Sequence, residues 1–204
     1  MTDKPTWHSF LDESYLLRSK FSERSFYIIA MALIRGDETG PMRKLVECVV
    51  GTDYFHATEL MRTSSGQNRL IDFLTALPDS VEFRFLFAEP ILSGDRDAEG
   101  TRSRLLVESA SWMMAEDSND AKLSFEARRP GAQQQADLRT VAAIKSRFPG
   151  LEMRPRSPAD ERLLWIADAA ATAFRQELCW GNSKYFGLLK AKSSVIEIKL
   201  SRPD

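Results

Sequence analysis

The feature that most constrains the fold of this chain is an uninterrupted apolar run from Phe26 to Ile34. The run shows no alternation of polar and apolar residues, and it contains several β-branched isoleucines. Such a run is typical of a central strand that is covered on both of its faces. It is far too short to cross a lipid bilayer, which takes about 20 apolar residues. We therefore expect a sheet whose centre is buried between other elements.

Helical and strand patterns are mixed along the rest of the chain. The clearest helix is predicted to begin at Ser157, a good N-cap residue that is followed by Pro158 in the first turn. Segment 44–50 fits either a strand or a short helix. The other predicted strands cover 7–12, 81–88, 122–127, 151–154 and 195–200, and the other predicted helices cover 68–77, 104–115 and 137–148. The mixture indicates an α/β fold.

Length and composition narrow the class of protein. A chain of 204 residues with 43% hydrophobic and 28% charged residues most simply forms one globular domain, residues 1–204. The formal net charge of -1 excludes a strong overall field that would attract nucleic acid or membrane. A nucleic-acid partner would therefore need a local basic patch or bound metal ions.

The N-terminus and the cysteines predict the compartment. The first residues are polar and lack the apolar segment of a secretory signal peptide. Cys48 and Cys179 are too few for a disulfide framework, and they lack the spacing of a metal site. We expect a soluble cytoplasmic protein with two free thiols and no membrane partner.

Two adjacent carboxylates, Asp12 and Glu13, follow the first predicted strand. Aspartate and glutamate are poor strand residues, so the strand is expected to end here. Side chains on a strand alternate between faces, so Asp12 is expected to point with Phe10 and Glu13 to point to the other face. Taken alone, this pattern also fits a strand that ends in solvated charge.

Three further acids stand in informative surroundings. Glu59 lies in a His-Ala-Thr-Glu-Leu segment, and Glu126 lies on the polar face of a predicted strand. Asp168 is flanked by apolar residues on the helix after Ser157, where an unpaired charge would be costly. Asp168 is therefore expected to have a cation, a metal ion or a shared proton as its partner.

These acids could converge at one edge of the sheet. Carboxylates at close quarters repel one another unless a divalent ion neutralises them, and their oxygens suit Mg²⁺ or Mn²⁺. Two such ions, about 4 Å apart, can bind the attacking and leaving oxygens of a phosphoryl transfer. His56, close to this cluster in the predicted arrangement, could carry a proton.

Three segments resemble the motifs of a known family. They are Phe-Leu-Asp-Glu-Ser at 10–14, Phe-His-Ala-Thr-Glu-Leu at 55–60, and Leu-Trp-Ile-Ala-Asp-Ala at 164–169. In this order and spacing they resemble a bacterial and phage family that is catalogued as domain of unknown function 3800, a branch of the ribonuclease H-like superfamily. The resemblance spans about residues 10–173, and the chain departs from it at Tyr15, where the family usually has glycine.

The resemblance implies a fold and a set of site residues. The fold would be ribonuclease H-like, with a central mixed five-stranded sheet of three antiparallel and then parallel strands, and with helices on both faces. The first-strand ligand would be Asp12 and the late-helix ligand Asp168, with Glu13 as a supporting or alternate ligand. The implied metal ligands are Asp12, Glu13, Glu126 and Asp168, and the implied catalytic residues are Asp12, His56, Glu59, Glu126 and Asp168.

The sequence thus predicts a nuclease, or another phosphoryl-transfer enzyme, that acts on nucleic acid with Mg²⁺ or Mn²⁺. The alternative is a non-catalytic module on the same fold that binds nucleic acid or protein, in phage defence or a mobile element. The near-neutral charge favours this alternative. The sequence leaves open whether the nucleic acid is DNA or RNA. It also leaves open whether the protein forms a homo-oligomer or binds an unknown protein partner.

Overall fold

A mixed sheet of six strands forms the centre of the fold. The structure is a computed structural model, and it describes residues 6–18, 24–51, 55–91, 94–95, 97–116 and 121–200. The strands are β1 (Trp7–Leu16), β2 (Phe26–Arg35), β3 (Glu82–Ala88), β4 (Lys122–Glu126), β5 (Glu152–Arg156) and β6 (Val195–Lys199). Together with the helices, this sheet confirms the α/β class.

The strand order across the sheet is β5-β4-β1-β2-β3-β6. β2 is antiparallel to both β1 and β3, whereas the β1–β4, β4–β5 and β3–β6 pairs are parallel. The implied count of five strands was therefore wrong. The sixth strand, β6, joins the edge of β3, where Phe83 donates a backbone hydrogen bond to Ser194 and Leu200 donates one to Phe87. The edge of β3 is thereby paired instead of open.

Helices cover the sheet on both faces. They are α1 (Thr39–Val50), α2 (Ala57–Leu60), α3 (Ser64–Ala76), α4 (Glu99–Glu116), α5 (Ala132–Arg147), α6 (Leu164–Trp180) and α7 (Ser183–Lys192), with a 3₁₀ turn at Gly36–Glu38. Residues from α1, α3, α6 and α7 share one core with Phe10 and Ile28, and residues from α4 and α5 share the other with Leu11 and Ile29. The sheet separates these two cores.

Strand β2 is the predicted central strand. Every residue from Phe26 to Ile34 is buried, and alternate side chains enter the two cores. This arrangement confirms the interpretation of the apolar run. Segment 44–50, for which the sequence left strand and helix open, is the second part of α1, which ends at Gly51 in the left-handed conformation with φ 59°.

Several predicted boundaries were wrong: α3, α4 and α5 begin four or five residues earlier than predicted, and the boundaries of β1 and α6 also differ. Strand β1 does not end at Asp12 but continues to Leu16, because Asp12 and Glu13 pair with Ala30 and Ile29 in the middle of the sheet. Ladder hydrogen bonds between buried strands outweigh the low strand propensity of two acids.

The helix predicted from Ser157 begins instead at Leu164. The Ser157 carbonyl accepts hydrogen bonds from the backbone of Asp160 and Glu161, and its Oγ accepts one from Ala159. These bonds close a local turn, so Ser157 organises a loop that precedes the helix.

Within the described residues, no helix is both long and apolar enough to cross a membrane. Cys48 and Cys179 are free thiols, as predicted from their number and spacing.

Candidate carboxylate site

The carboxylates of Asp12 and Glu126 extend from neighbouring parallel strands toward the same face of the sheet. Asp12 lies two residues after Phe10 on β1, and Phe10 is part of the core on the α6 side. Phe10 pairs with Ser124 across these two parallel strands. Asp12 and Glu126 each lie two residues further along their strand, so their side chains are neighbours on the same face. The predicted direction of Asp12 agrees with this geometry.

Helix α6 brings Asp168 to the same place. The helix packs on β1 and β2 through small buried residues, among them Ala167 and Ala171. Small side chains allow the helix axis to come close to the sheet. The Asp168 side chain is 15% exposed, and its Oδ2 accepts a hydrogen bond of 2.8 Å from the backbone of Ala57. His56 Nδ1 lies 3.4 Å from the same oxygen.

These side chains share one cavity of about 270 Å³. Its polar lining comes from Asp12, His56, Glu126, Ser157 and Asp168, and its apolar lining comes from Phe55, Pro158, Ala159, Leu164 and Trp165. The structure therefore brings four of the predicted site residues from β1, β4, α6 and the start of α2 to one cavity.

Burial and mutual repulsion raise the pKa of two carboxyl groups in this cluster, Asp12 and Glu126. Burial raises the pKa of Asp12 well above its usual value, and the negative charges of Asp168 and Glu126 raise it further. Burial, followed by repulsion from Asp168, also raises the pKa of Glu126. Both shifts favour the protonated form of these carboxyl groups.

His56 is the basic group of the cluster. Its hydrogen bond to Asp168 raises its pKa above 6.5, against a smaller opposing effect of burial. The pairing therefore stabilises the fold below pH 6.5, and this contribution is lost as the pH rises through the folded-state pKa.

The two histidines are expected to titrate on opposite sides of pH 6.5. His8, the other histidine of the chain, has its pKa lowered by burial and by nearby Lys122. Titration of the imidazole C–H signals by NMR measures both values in one sample. An Asp168→Asn variant should lower the pKa of His56 and leave that of His8 unchanged. Equal titration of His56 in parent and variant would show that the pair does not form.

Two predicted site residues lie apart from this cavity. Glu59 is exposed on α2 and does not contribute to the cavity lining. Glu13 points to the other face of the sheet, where its Oε2 accepts hydrogen bonds from Tyr27 and Arg102. Tyr15 stacks on Tyr27, with ring centroids 5.2 Å apart and 7° between the ring planes. It therefore lies over the Glu13 side of β1.

Glu13 belongs to a buried ion network that sequence reasoning missed. Arg102 of α4 donates to both carboxylate oxygens of Asp137 on α5, at 2.9 and 3.0 Å, and it also pairs with Glu13. Arg128 donates to Glu99 at 2.7 Å and lies 3.5 Å from Glu13. The network joins β1, α4, α5 and the segment after β4. No spacing in the sequence could have found it, because its members come from four separate elements.

The donor set of the cavity suits a hard divalent cation. Among the described residues, no group of three or more histidine, cysteine or acidic side chains is arranged to hold a metal ion. Mg²⁺ commonly binds to one or two carboxylates and completes its octahedron with water and substrate phosphate. Asp12 and Glu126 supply two such carboxylates at one cavity. The residues therefore fit this kind of open site.

No model of a known protein family matches the chain, and no curated protein sequence matches it at a significant level.

Proposed function

We propose that this protein is a metal-dependent nuclease, or another phosphoryl-transfer enzyme, that acts on nucleic acid. The observation that carries the proposal is the position of Asp12. It lies on a central strand, in one cavity of about 270 Å³ with Glu126 and Asp168, and both of these acids repel it. Three mutually repelling carboxylates at one cavity are costly for the fold, and a divalent cation would remove that cost.

Asp12 and Glu126 would hold Mg²⁺ or Mn²⁺, with Asp168 as the third carboxylate of the cluster. When bound, the ion would lower the pKa of a water molecule and neutralise charge that develops on the phosphate. The residues of the chain do the remaining work. The Ala57 amide and His56 Nδ1 hold the Asp168 carboxylate in place, and His56 can give a proton to a leaving oxygen or take one from water.

The topology supports a ribonuclease H-like form of this fold. Without the edge strand β6, the order of the sheet is β5-β4-β1-β2-β3, and β2 alone runs against the others. Asp12 and Glu126 then lie on adjacent strands, β1 and β4. Fold likeness does not by itself license a function, so the carboxylate cluster carries the proposal.

Mn²⁺-dependent cleavage is the direct test. Purified parent protein should cleave a labelled oligonucleotide with Mn²⁺ and not with EDTA. An Asp168→Asn variant should cleave at least about 100-fold more slowly, because a carboxylate next to the ion is lost. Asp79→Asn is the matched control, because Asp79 is an exposed acid outside the cavity. Equal cleavage by Asp168→Asn and parent would contradict the assignment of this site.

A non-catalytic binding module is the second candidate. The net charge of -1 favours it, because a nuclease that ignores sequence usually has a basic surface for phosphates. The same experiment separates the two candidates. Retention of the oligonucleotide without cleavage, at Mn²⁺ concentrations that bind to the protein, would support the module.

A further inference from the structure

The cavity beside the carboxylates is only partly polar. Phe55, Pro158, Leu164 and Trp165 contribute apolar lining next to Asp12 and the other acids. A site that held only an ion, water and phosphate would gain nothing from such a lining, because none of these ligands has an apolar surface. The substrate that enters this cavity is therefore expected to bring a flat or apolar group as well as a phosphate.

The apolar lining is held rigidly. The ring of Trp165 stacks on that of Phe55, with centroids 5.8 Å apart, and the Arg162 guanidinium lies 5.4 Å from the Trp165 ring centroid. Phe55 in turn packs against Phe73 of α3, with centroids 4.9 Å apart. Phe55 and Trp165 are themselves buried, so they support the lining, and its accessible part is at half-buried Pro158 and exposed Ala159. A surface that is fixed before binding loses little conformational entropy when a ligand contacts it.

The size of the cavity limits the group that can enter. Its volume of about 270 Å³ lies just below the range of about 300–1,000 Å³ that is usual for small-molecule sites. A space of this size suits one nucleotide better than a base pair in a double helix. A base inside a duplex would have to leave the stack in order to reach this cavity.

We propose that the cavity binds one unpaired nucleotide, with its base against the accessible apolar lining at Pro158 and Ala159 and its phosphate at the carboxylates. The preferred substrate is then single-stranded nucleic acid, or an unpaired nucleotide in a longer molecule. This inference rests on the proposed function for its phosphate-binding part. The base-binding part rests on the apolar lining and the volume of the cavity alone.

The first experiment measures what the base adds to binding. Calorimetry compares a nucleoside 5′-monophosphate with ribose 5-phosphate, which lacks the base, with Mg²⁺ and with EDTA. The base should raise the affinity at least about tenfold in either condition, in line with stacking on a rigid lining. Equal affinity of the two ligands would overturn the inference, even if the protein binds Mn²⁺ and cleaves nucleic acid.

The second experiment fills the cavity. Ala159 lines the cavity and is exposed, so Ala159→Trp should occupy the space meant for the base. Asp160→Trp is the matched control, because Asp160 is exposed, adjacent and not part of the lining. Ala159→Trp should lower nucleotide affinity about tenfold or more and leave Mn²⁺ affinity unchanged, and Asp160→Trp should resemble the parent.

The third experiment uses strandedness. The parent should cleave a single-stranded oligonucleotide at least about tenfold faster than the same strand in a duplex, because unpairing a base costs a few kcal/mol. Equal rates would overturn the inference and leave the nuclease proposal intact. The opposite result is base-dependent binding without Mn²⁺ binding or cleavage. It would support the base site and contradict the proposed function.

Discussion

Replacement of Asp12 by asparagine is expected to abolish metal-dependent cleavage and, at the same time, to stabilise the metal-free protein. Cleavage should fall about 1,000-fold, the upper range for loss of a group that stabilises developing charge. Asparagine has the shape of aspartate but cannot ionise, so the variant has one charge fewer in a buried group of acids that repel one another. The variant should therefore unfold at a higher urea concentration than the parent at neutral pH.

The pH dependence identifies the source of that gain. The pKa of Asp12 is raised in the folded state, so the folded protein binds more protons than the unfolded chain above about pH 4. The stability of the parent in EDTA should therefore fall as the pH rises through the folded-state pKa of Asp12. In Asp12→Asn this fall should be smaller, with a remainder from Glu126, whose pKa is also raised.

Urea denaturation between pH 4 and pH 8 measures both effects. Asp79→Asn, at an exposed acid, should reproduce the pH dependence of the parent. If the pH dependence of stability were unchanged in Asp12→Asn, burial and the neighbouring acids would not destabilise the ionised Asp12 carboxylate. An active Asp12→Asn variant would exclude Asp12 from the metal site, whatever its stability.

Among the variants that we propose, Arg102→Met is expected to show the largest decrease in the free energy of unfolding. The Arg102 side chain is 4% exposed and bridges Glu13 and Asp137, so its removal leaves two carboxylates on one core without their main partner. Loss of one partner from a buried ion pair costs about 3–5 kcal/mol. The change should appear as a lower urea midpoint, with the slope of the transition preserved.

A surface pair and a double variant serve as controls. Arg154 pairs with Glu152 at 2.8 Å, but the two side chains are 57% and 41% exposed. Arg154→Met should therefore change the stability by less than about 1 kcal/mol. Replacement of Arg102 and Asp137 together by methionine and leucine should restore part of the loss, because it removes the uncompensated charge at Asp137 as well. A loss below about 1 kcal/mol in Arg102→Met would show that water reaches the network.

Much of the fold could be predicted because its strongest signals are local. The run from Phe26 to Ile34 defined the central strand, and the alternation around Phe83 and Phe85 defined β3. The boundaries depended on partners that sequence does not specify. Asp12 and Glu13 remain in β1 because they pair with β2, and Ser157 forms a turn through bonds to its own neighbours.

The site was predictable in part for the same reason. Asp12, Glu126 and Asp168 could be placed by strand alternation and by the apolar surroundings of α6, and the structure brings them to one cavity with His56. The buried network could not be predicted. Arg102 and Asp137 look like ordinary exposed positions on helices, and only the packing of α4 against α5 above Glu13 brings them together.

The hydrogen bond between the Ala57 amide and Asp168 couples α6 to the entry of α2. The amide lies at the first residue of α2, where helices leave their N–H groups without an internal acceptor, and the carboxylate provides that acceptor. Any event that draws Asp168 Oδ2 away, including coordination to an ion, leaves this buried amide without its acceptor. The hydrogen-exchange rate of the Ala57 amide therefore reports whether the Asp168 carboxylate is bound to this amide or to another partner. The measurement needs no substrate.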